Sequence, residues 1–177
     1  GYRKEHGHDI FMWSPLDQNG LSHRYNPLDA VSRDPYQRIS DIQIIANILI
    51  KEPVKSDPVW ASEARALFVG LALYVMESDD MPSTIGAINR LLGTEQDLGD
   101  ICKHIVSIHP ELSSTIKKSL LNFANKAAKE RSGVKSSLNQ AINLWDNPVI
   151  DAATSTSDFS IADMRKKRMA VYVGVLT

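Results

Sequence analysis

The chain has 177 residues, of which 43% are hydrophobic, so it can bury a folded core and does not have the composition of a disordered protein. Its 20 Lys and Arg residues nearly balance its 21 Asp and Glu residues, which excludes a polycation that binds nucleic acid through overall charge. The single cysteine, Cys102, excludes an internal disulfide and a cysteine-based zinc site, and it fits a reducing compartment.

Two runs of β-branched and aromatic residues, one near each end of the chain, are typical of strands. They are Asp9–Trp13 and Met169–Val175. Two strands do not form a stable sheet alone, so we expect them to lie side by side in a larger sheet, with a helical block inserted between them. The chain opens at Gly1 and a strand-like run reaches its last residues. We therefore expect a piece of a longer protein.

The segment SHRYNPLDAV follows the first strand but begins neither a strand nor a helix. Pro27 fixes its own φ and excludes Asn26 from the helical region. Tyr25 and Leu28 are apolar enough to be buried, and Asp29 can cap or turn the chain. We interpret this segment as the hinge between sheet and helices.

The first two helices of the block are predicted from periodicity and capping. Ile42, Ala46 and Leu49 recur on one face of the first. Asp57 and Pro58 are an N-cap and first-position pair for the second, which runs to about Glu77 and is apolar on several faces. Such a helix belongs at the centre of a bundle.

Apolar periodicity and end signals predict four further helices. The first runs from Pro82 and Ser83 to Leu92 and is closed by Gly93, and the second runs from a capping box at Thr94 and Asp97 to about Ile108. The third runs from Leu112 to Arg131, with Gly133 expected to end it. The fourth runs from Val134 to Trp145 and ends before Pro148. The stretch 152–160 is expected to be a polar connector back to the last strand.

Charge is segregated along the helical block. Residues 77–111 carry seven acidic and two basic side chains, whereas residues 112–140 carry six basic and one acidic side chain. The predicted helix Leu112–Arg131 has a polar face opposite its apolar stripe, and candidate contacts on and beyond it are Lys118, Asn122, Asn125, Lys126, Lys129 and Lys135. This face is either an ordinary solvated surface or a patch for phosphates or an acidic partner. The run Arg165–Arg168 is likewise either a solubilising turn or a contact for nucleotide or nucleic acid.

Motifs for catalysis or metal binding are missing from the sequence. It has no GxxxxGK[ST], no GxSxG and no HExxH. We interpret His6, His8, His104 and His109 as surface residues and Cys102 as a small core residue. No catalytic residue, metal ligand or cofactor-binding residue is predicted.

The order of motifs resembles the TraG-like coupling ATPases of bacterial conjugation and type IV secretion. The resemblance lies in DIFMWSPLDQNGLSHRYNPLDAVSRDP, then RISDIQIIANILI, then DPVWASEARALFVGLALYVME, with SDFSIADMRKKRMAVYVGV at the return. The residues that carry it are Tyr25, Asn26, Pro27, Leu28, Asp29, Asp57, Pro58, Trp60, Ala64 and Arg65.

The resemblance implies a mainly α fold, in which a multi-helix bundle is inserted between two short strands of a RecA-like nucleotide-binding domain. It divides the chain into a remnant of that domain with its hinge (1–35), an all-α domain (36–152), and a connector with the return strand (153–177). The parent is then expected to be a hexameric ATPase that uses ATP and Mg²⁺ and is anchored in the bacterial inner membrane. Without a phosphate-binding loop, this piece is expected to be a soluble monomer at the cytoplasmic face that hydrolyses no ATP.

Four functions remain open. The leading one is a receptor that recruits protein or DNA–protein substrates, or their adaptors, to the secretion channel. The alternative is a DNA-binding module that engages DNA or a relaxase complex and contacts phosphates through Lys118, Lys126, Lys129 and Lys135. A third is an independent enzyme, which would need a set of catalytic residues that the sequence does not show, and a fourth is a bundle that only spaces or gates the motor ring.

Overall fold

The computed structural model describes residues 2–17, 20–52 and 58–174. The helices within these ranges are α1 (Tyr2–Glu5), α2 (Pro35–Leu49), α3 (Pro58–Glu77), α4 (Ile85–Leu92), α5 (Leu98–Ile108), α6 (Ser114–Ala124), α7 (Ala128–Ile142) and α8 (Pro148–Ala153). The strands are β1 (Asp9–Trp13) and β2 (Met169–Val173), and short 3₁₀ turns lie at Pro27–Ala30, Asn143–Asp146 and Ile161–Arg165. The expectation of a mainly helical chain is confirmed.

The two strands pair in parallel, as expected for strands that lie side by side. Asp9 is opposite Met169, and the register continues to Trp13 opposite Val173. Parallel pairing requires a long crossover, and here the whole helical bundle forms it. The crossover therefore starts at the carboxyl end of β1 and returns to the amino end of β2, at the opposite end of the sheet.

Helix α3 is the centre of the bundle, as its sequence predicts. It packs against α2, α4, α6 and α7. All residues from Leu67 to Val75 are buried, so the helix has no solvent face over more than two turns. By length and composition α3 could also cross a membrane, but 61% of its most apolar stretch is buried inside the protein, as in the core helix of a bundle.

Side-chain caps set the starts of several helices. Asp34 accepts a hydrogen bond from the Tyr36 amide at 2.9 Å, with Pro35 in the first turn. Helix α4 begins at Ile85 with Thr84 as its N-cap, later than the predicted start at Pro82. The corresponding prediction for Asp57 lies outside the described residues.

The predicted capping box at Thr94 is wrong. Helix α5 begins at Leu98, and its cap is Asp97, whose carboxylate accepts from the amides of Gly99 at 2.8 Å and Asp100 at 3.2 Å. Asp97 bonds two backbone donors that the first turn leaves unpaired, whereas the Thr94 hydroxyl donates backward to the Leu91 carbonyl.

The predicted single helix Leu112–Arg131 is also wrong, because it is two helices, α6 and α7, that meet at residues 125–127. The Arg131 guanidinium donates to the Lys126 carbonyl at 2.8 Å and the Ala124 carbonyl at 3.4 Å. It thereby satisfies carbonyls that the break leaves free at the end of α6. A side chain from the first turn of α7 thus stabilises a break that lacks Gly or Pro.

Gly133 lies inside α7 and is not a helix stop. A Cβ placed on Gly133 would lie 2.6 Å from the Trp60 ring, so the glycine allows α7 to approach α3 closely. Gly133 therefore allows close helix packing and does not end a helix.

The end of the bundle also differs from its prediction. Helix α7 ends at Ile142, and Trp145 lies in the 3₁₀ turn that follows. The unpredicted helix α8 begins at Pro148, with Asn147 accepting from the Val149 amide at 2.9 Å. The Trp145 indole donates to the Thr154 hydroxyl at 2.8 Å, which ties the turn to the end of α8.

The division of the chain into three parts at residues 35 and 152 stays a prediction.

Candidate functional site

The predicted hinge segment is one side of a junction where the outgoing and returning chains meet. The Tyr25 amide donates to the Ala153 carbonyl at 2.9 Å, and the Asp158 amide donates to the Arg24 carbonyl at 3.0 Å. Arg24 also pairs with Asp158 through its side chain at 2.9 Å. The rings of Tyr25 and Phe159 stack with centroids 5.3 Å apart. The two crossing segments therefore form one bonded unit beneath the bundle.

Asn26 is the buried polar centre of this junction, at 3% exposure. Its carbonyl oxygen accepts from the Leu28 amide at 3.1 Å, and its amide nitrogen donates to the Asp29 carboxylate at 3.2 Å and the Ser83 carbonyl at 2.8 Å. One side chain thus links the hinge segment after β1 to the loop before α4. Pro27 opens the 3₁₀ turn, and Leu28 is 1% exposed in the core.

Arg65, the basic residue of the resemblance, fixes the end of α2. Its guanidinium donates to the Ile50 carbonyl from Nε at 3.0 Å and from Nη2 at 2.8 Å. A third nitrogen pairs with Glu52 at 3.0 Å. Since the last carbonyls of a helix lack intrahelical partners, Arg65 satisfies one and holds the C-terminal end of α2 against α3.

A groove lies where α2, α3 and α7 meet, with a volume of about 290 Å³. Its lining is mostly apolar, and the residues that form it are Leu49, Ile50, Lys51, Trp60, Ala61, Ser137, Gln140 and Ala141. On α2, Ile44 and Ile48 are 58% and 61% exposed, and they lie five residues and one residue before the helix end at Leu49. A concave apolar surface with a few polar groups at its rim is typical of a site that binds a peptide segment or a small ligand. We call this surface the α2–α3–α7 groove.

The predicted polar face is divided between α6 and α7. Lys118 and Asn122 are exposed on α6, Asn125 is exposed at its C-cap, and Lys129 is exposed in the first turn of α7. Lys126, between the helices, is 23% exposed at its side chain and pairs with Glu63 at 3.1 Å. Lys126 therefore anchors the turn to α3.

Other bases of the 112–140 region are also occupied. Lys117 donates to the Pro110 carbonyl at 2.6 Å, and Arg131 pairs with Asp97 at 3.3 Å. Lys135 is half-buried beside Glu95 and Arg131 in a separate concavity. Within the described ranges, Lys118 and Lys129 are left as exposed cations without an ion pair on this face.

His109 is not the surface residue that its sequence context predicts. Its side chain is 15% exposed, with Nδ1 2.7 Å from Glu111 and Nε2 2.6 Å from Asp80. Only the imidazolium donates from both nitrogens, so the geometry requires the charged form. Glu111 and Asp80 accordingly raise the pKa of His109, while hydrogen bonds from Tyr74 and His109 lower the pKa of Asp80. We call these residues the His109 clamp; it joins the ends of α3 and α5.

Cys102 is the small core residue that the sequence predicts. It is fully buried on α5, and burial raises the pKa of its thiol to about 12. The thiolate required of a nucleophile or metal ligand is thus disfavoured at neutral pH. Among the described residues, no group of His, Cys, Asp and Glu is arranged to hold a metal ion.

Comparisons with known proteins agree with the resemblance in the motifs. The family model described as "Type IV secretory system Conjugative DNA transfer" matches residues 1–177. Protein VirD4 of Rhizobium radiobacter is 33% identical over 176 residues, and Protein VirD4 of Rhizobium rhizogenes is 32% identical over 175 residues. Each alignment covers 98% of this chain. The Conjugal transfer protein TraG of Escherichia coli is 24% identical over 177 residues, covering 93% of this chain.

The chain spans only about a quarter of these relatives, since the alignments cover 25% of the first VirD4, 26% of the second and 27% of TraG. The match nevertheless runs through both strands, the junction and the whole bundle. The chain therefore belongs to the type IV secretory system conjugative DNA transfer family and corresponds to a part of a type IV secretion coupling protein.

Proposed function

We propose that this chain is the substrate-receptor part of its coupling protein, recruiting secreted protein or DNA–protein substrates, or their adaptors, to the secretion channel. The observation that carries the proposal is the α2–α3–α7 groove. It lies in the bundle and away from the sheet, and one wall includes Trp60 from the motif that carries the family resemblance. Ile44 and Ile48 are further exposed apolar residues on α2, the helix that contributes Leu49 to the lining.

The rest of the parent belongs to the same proposal. The two parallel strands are part of a RecA-like nucleotide-binding domain, and the parent is a hexameric ATPase that uses ATP and Mg²⁺ at the cytoplasmic face of the inner membrane. The parallel pairing of β1 and β2 supports this, since a two-stranded parallel sheet is not stable by itself. Because this chain has no GxxxxGK[ST] motif, ATP hydrolysis is assigned to other parts of the parent.

The test is the binding of a purified relaxase from the same transfer system, followed by fluorescence anisotropy. Replacing Ile48 by Asp puts a charge on α2 next in sequence to the lining residue Leu49, and Gln140→Arg puts a larger, charged side chain at an exposed position of the lining. Each change is expected to weaken binding at least about tenfold, as for residues at the centre of an interface. Ile108→Asp is the matched control, because Ile108 is 51% exposed on α5 outside the groove. Equal binding by all three variants and the unchanged chain would overturn the groove as receptor.

A second candidate function is DNA binding by the divided face of α6 and α7. Lys118 and Lys129 are exposed cations, and the exposed amides of Asn122 and Asn125 lie between them in sequence. Lysine and amide side chains at such positions can contact phosphates. Lys126 is left out of the test variant, because its replacement by Glu would also break the ion pair with Glu63.

Lys118→Glu with Lys129→Glu tests this second candidate without disturbing the turn. If phosphates bind here, affinity for labelled DNA falls in the double variant, and the dependence of affinity on salt becomes shallower. Unchanged DNA affinity removes this face from the candidates and leaves the relaxase experiment unaffected.

A further inference from the structure

A second concavity, of about 420 Å³, lies between α4, α7 and the 3₁₀ turn that follows α7. Its lining is polar and consists of Asn89, Gly93, Ser136, Asn139, Gln140, Asn143 and Asp146. None of these residues belongs to the sheet, so helices and turns of the bundle form the concavity. We call this surface the amide concavity, because most of its lining residues are Asn or Gln.

The half of α7 that borders the amide concavity carries no charge. The first half of the helix, AKERSGVK, has four charged side chains, whereas the next eight residues, SSLNQAIN, have none. A helix face that meets only water usually carries charged side chains, and depletion of charge is typical of the core of a binding interface. Ser and Asn are also weaker helix formers than Lys or Glu, so helix stability does not explain their presence here.

The polar side chains on this half of α7 are free to bind a ligand. Within the described ranges, no side-chain hydrogen bond is formed by the four that line the amide concavity, namely Ser136, Asn139, Gln140 and Asn143. By contrast, Asn89 on α4 donates to the Asp146 carboxylate at 2.7 Å. The four unpaired side chains are three or four residues apart along the helix and share one face. Each carboxamide among them offers both donors and an acceptor.

The chemistry of the lining favours a polypeptide main chain as the ligand. Among the described residues that form it there is no Lys or Arg, and the one ionisable group is the Asp146 carboxylate, which disfavours phosphates. The same residues include no aromatic ring on which a nucleobase could stack. An extended peptide is uncharged along its main chain and presents N–H and C=O groups in turn, which match the acceptors and donors of Asn and Gln.

Gln140 lines both the amide concavity and the α2–α3–α7 groove, so the two surfaces meet on α7. We propose that they bind one extended, uncharged segment of a cargo protein that crosses α7 at Gln140. An apolar side chain of the segment enters the groove beside Trp60, and the neighbouring main-chain amides bond Asn139, Gln140 and Asn143. This inference rests on the proposed receptor function and names the kind of cargo segment that the receptor takes.

The test is fluorescence anisotropy of the 177-residue chain with labelled synthetic peptides that overlap along the sequence of a relaxase from the same transfer system. Peptides of about 15 residues are long enough in extended form to cross both surfaces. Asn139→Ala with Asn143→Ala should weaken the binding of the tightest peptide about tenfold, because hydrogen bonds to the ligand are lost. Ala is a stronger helix former than Asn, so the variant should remain folded.

Gln37→Ala with Gln96→Ala is the matched control. Both carboxamides are exposed, and neither lines the groove or the amide concavity. This control removes the same number of carboxamides from the surface and should leave peptide binding unchanged.

Changes in the peptide separate recognition of the main chain from recognition of side chains. N-methylation of the main-chain amides beside the apolar residue removes donors but no side chain, and should weaken binding about tenfold. Replacing the apolar residue by Ala should weaken it by a similar factor, because less apolar surface is buried. Replacing the flanking side chains by Ala should change affinity little.

The outcomes distinguish this inference from the receptor function. Unchanged affinity in the Asn139→Ala and Asn143→Ala variant, or for the N-methylated peptide, would overturn main-chain recognition by the amide concavity. Binding of the intact relaxase but of none of its peptides would overturn the extended segment and leave the receptor function standing. Binding of neither would overturn both.

Discussion

At the scale of single residues, the most informative side chains are polar groups that have all their partners inside the protein. Asn26 and His109 are two of them, and each joins elements that are distant in sequence. The motif YNPLD indicates that Asn26 is special, and Pro27 explains its extended backbone. The contact of His109 with Asp80 could not be predicted, because Asp80 follows the end of a different helix, α3.

Replacing Asn26 by Ala should destabilise the chain by about 2–4 kcal/mol, because three hydrogen bonds are lost at a buried position. Chemical denaturation of the variant measures this change. Ser157→Ala should destabilise less and serves as the comparison. The Ser157 hydroxyl accepts from the backbone N–H of Asn26 at 3.0 Å and donates to the Asp29 carboxylate at 2.7 Å. A cost for Asn26→Ala no larger than that of Ser157→Ala would contradict the central place of Asn26.

The His109 clamp predicts a specific pH dependence of stability. The pKa of His109 is raised in the folded state, so its contribution is complete below the unfolded value of about 6.5 and is lost as pH rises through the folded value. The pKa values of Asp80 and Glu111 are lowered, so their contribution is present above about 4 and is lost as pH falls. The clamp is therefore strongest between about pH 5 and 6.5.

Melting temperatures from pH 5 to 9 test the clamp in wild type, His109→Gln and His104→Gln. In wild type, the loss of the clamp should lower the melting temperature as pH rises. This fall should be absent in His109→Gln and present in His104→Gln, because His104 is exposed on α5. Identical pH profiles for wild type and His109→Gln would show that the clamp does not contribute.

At the scale of elements, local signals predicted the existence of helices better than their ends. Helix α3 was predictable because its apolar residues occupy every face, and β1 and β2 because of their β-branched and aromatic runs. The break between α6 and α7 was not, because it lacks Gly or Pro and is stabilised by the side chain of Arg131, which donates to the Lys126 carbonyl. Helix α8 did carry a signal, Asn147 followed by Pro148, of the same kind as Asp34 and Pro35.

Gly133→Ala tests the close approach of α7 to α3. In an exposed helix the change should stabilise by up to about 1 kcal/mol, but here the new methyl group meets the Trp60 ring. Overpacking should make the variant less stable by about 1–3 kcal/mol. Ser132→Ala, at an exposed position of the same helix, should be neutral or stabilising in the same denaturation experiment. A stabilised Gly133→Ala variant would mean that the two helices do not approach this closely.

At the scale of the whole molecule, the helical bundle is the crossover between two parallel strands, and the junction around Asn26 joins both of its ends. The resemblance in the motifs identified this arrangement and the family. It did not identify the groove, because Ile50, Trp60 and Gln140 come from three elements that only the folded bundle brings together. Nor did charge counting locate the available cations, since partners such as Glu63 and Asp97 come from other helices.

Hydrogen exchange with and without a purified relaxase from the same transfer system tests the receptor role most directly. Bound cargo is expected to slow exchange in the segments that form the α2–α3–α7 groove, namely residues 49–51, 60–61 and 137–141. The α6–α7 face around Lys118 should be unchanged. Slower exchange around Lys118 and Lys129 with none in the groove would contradict this account and favour the second candidate, and no change anywhere in the bundle would contradict both.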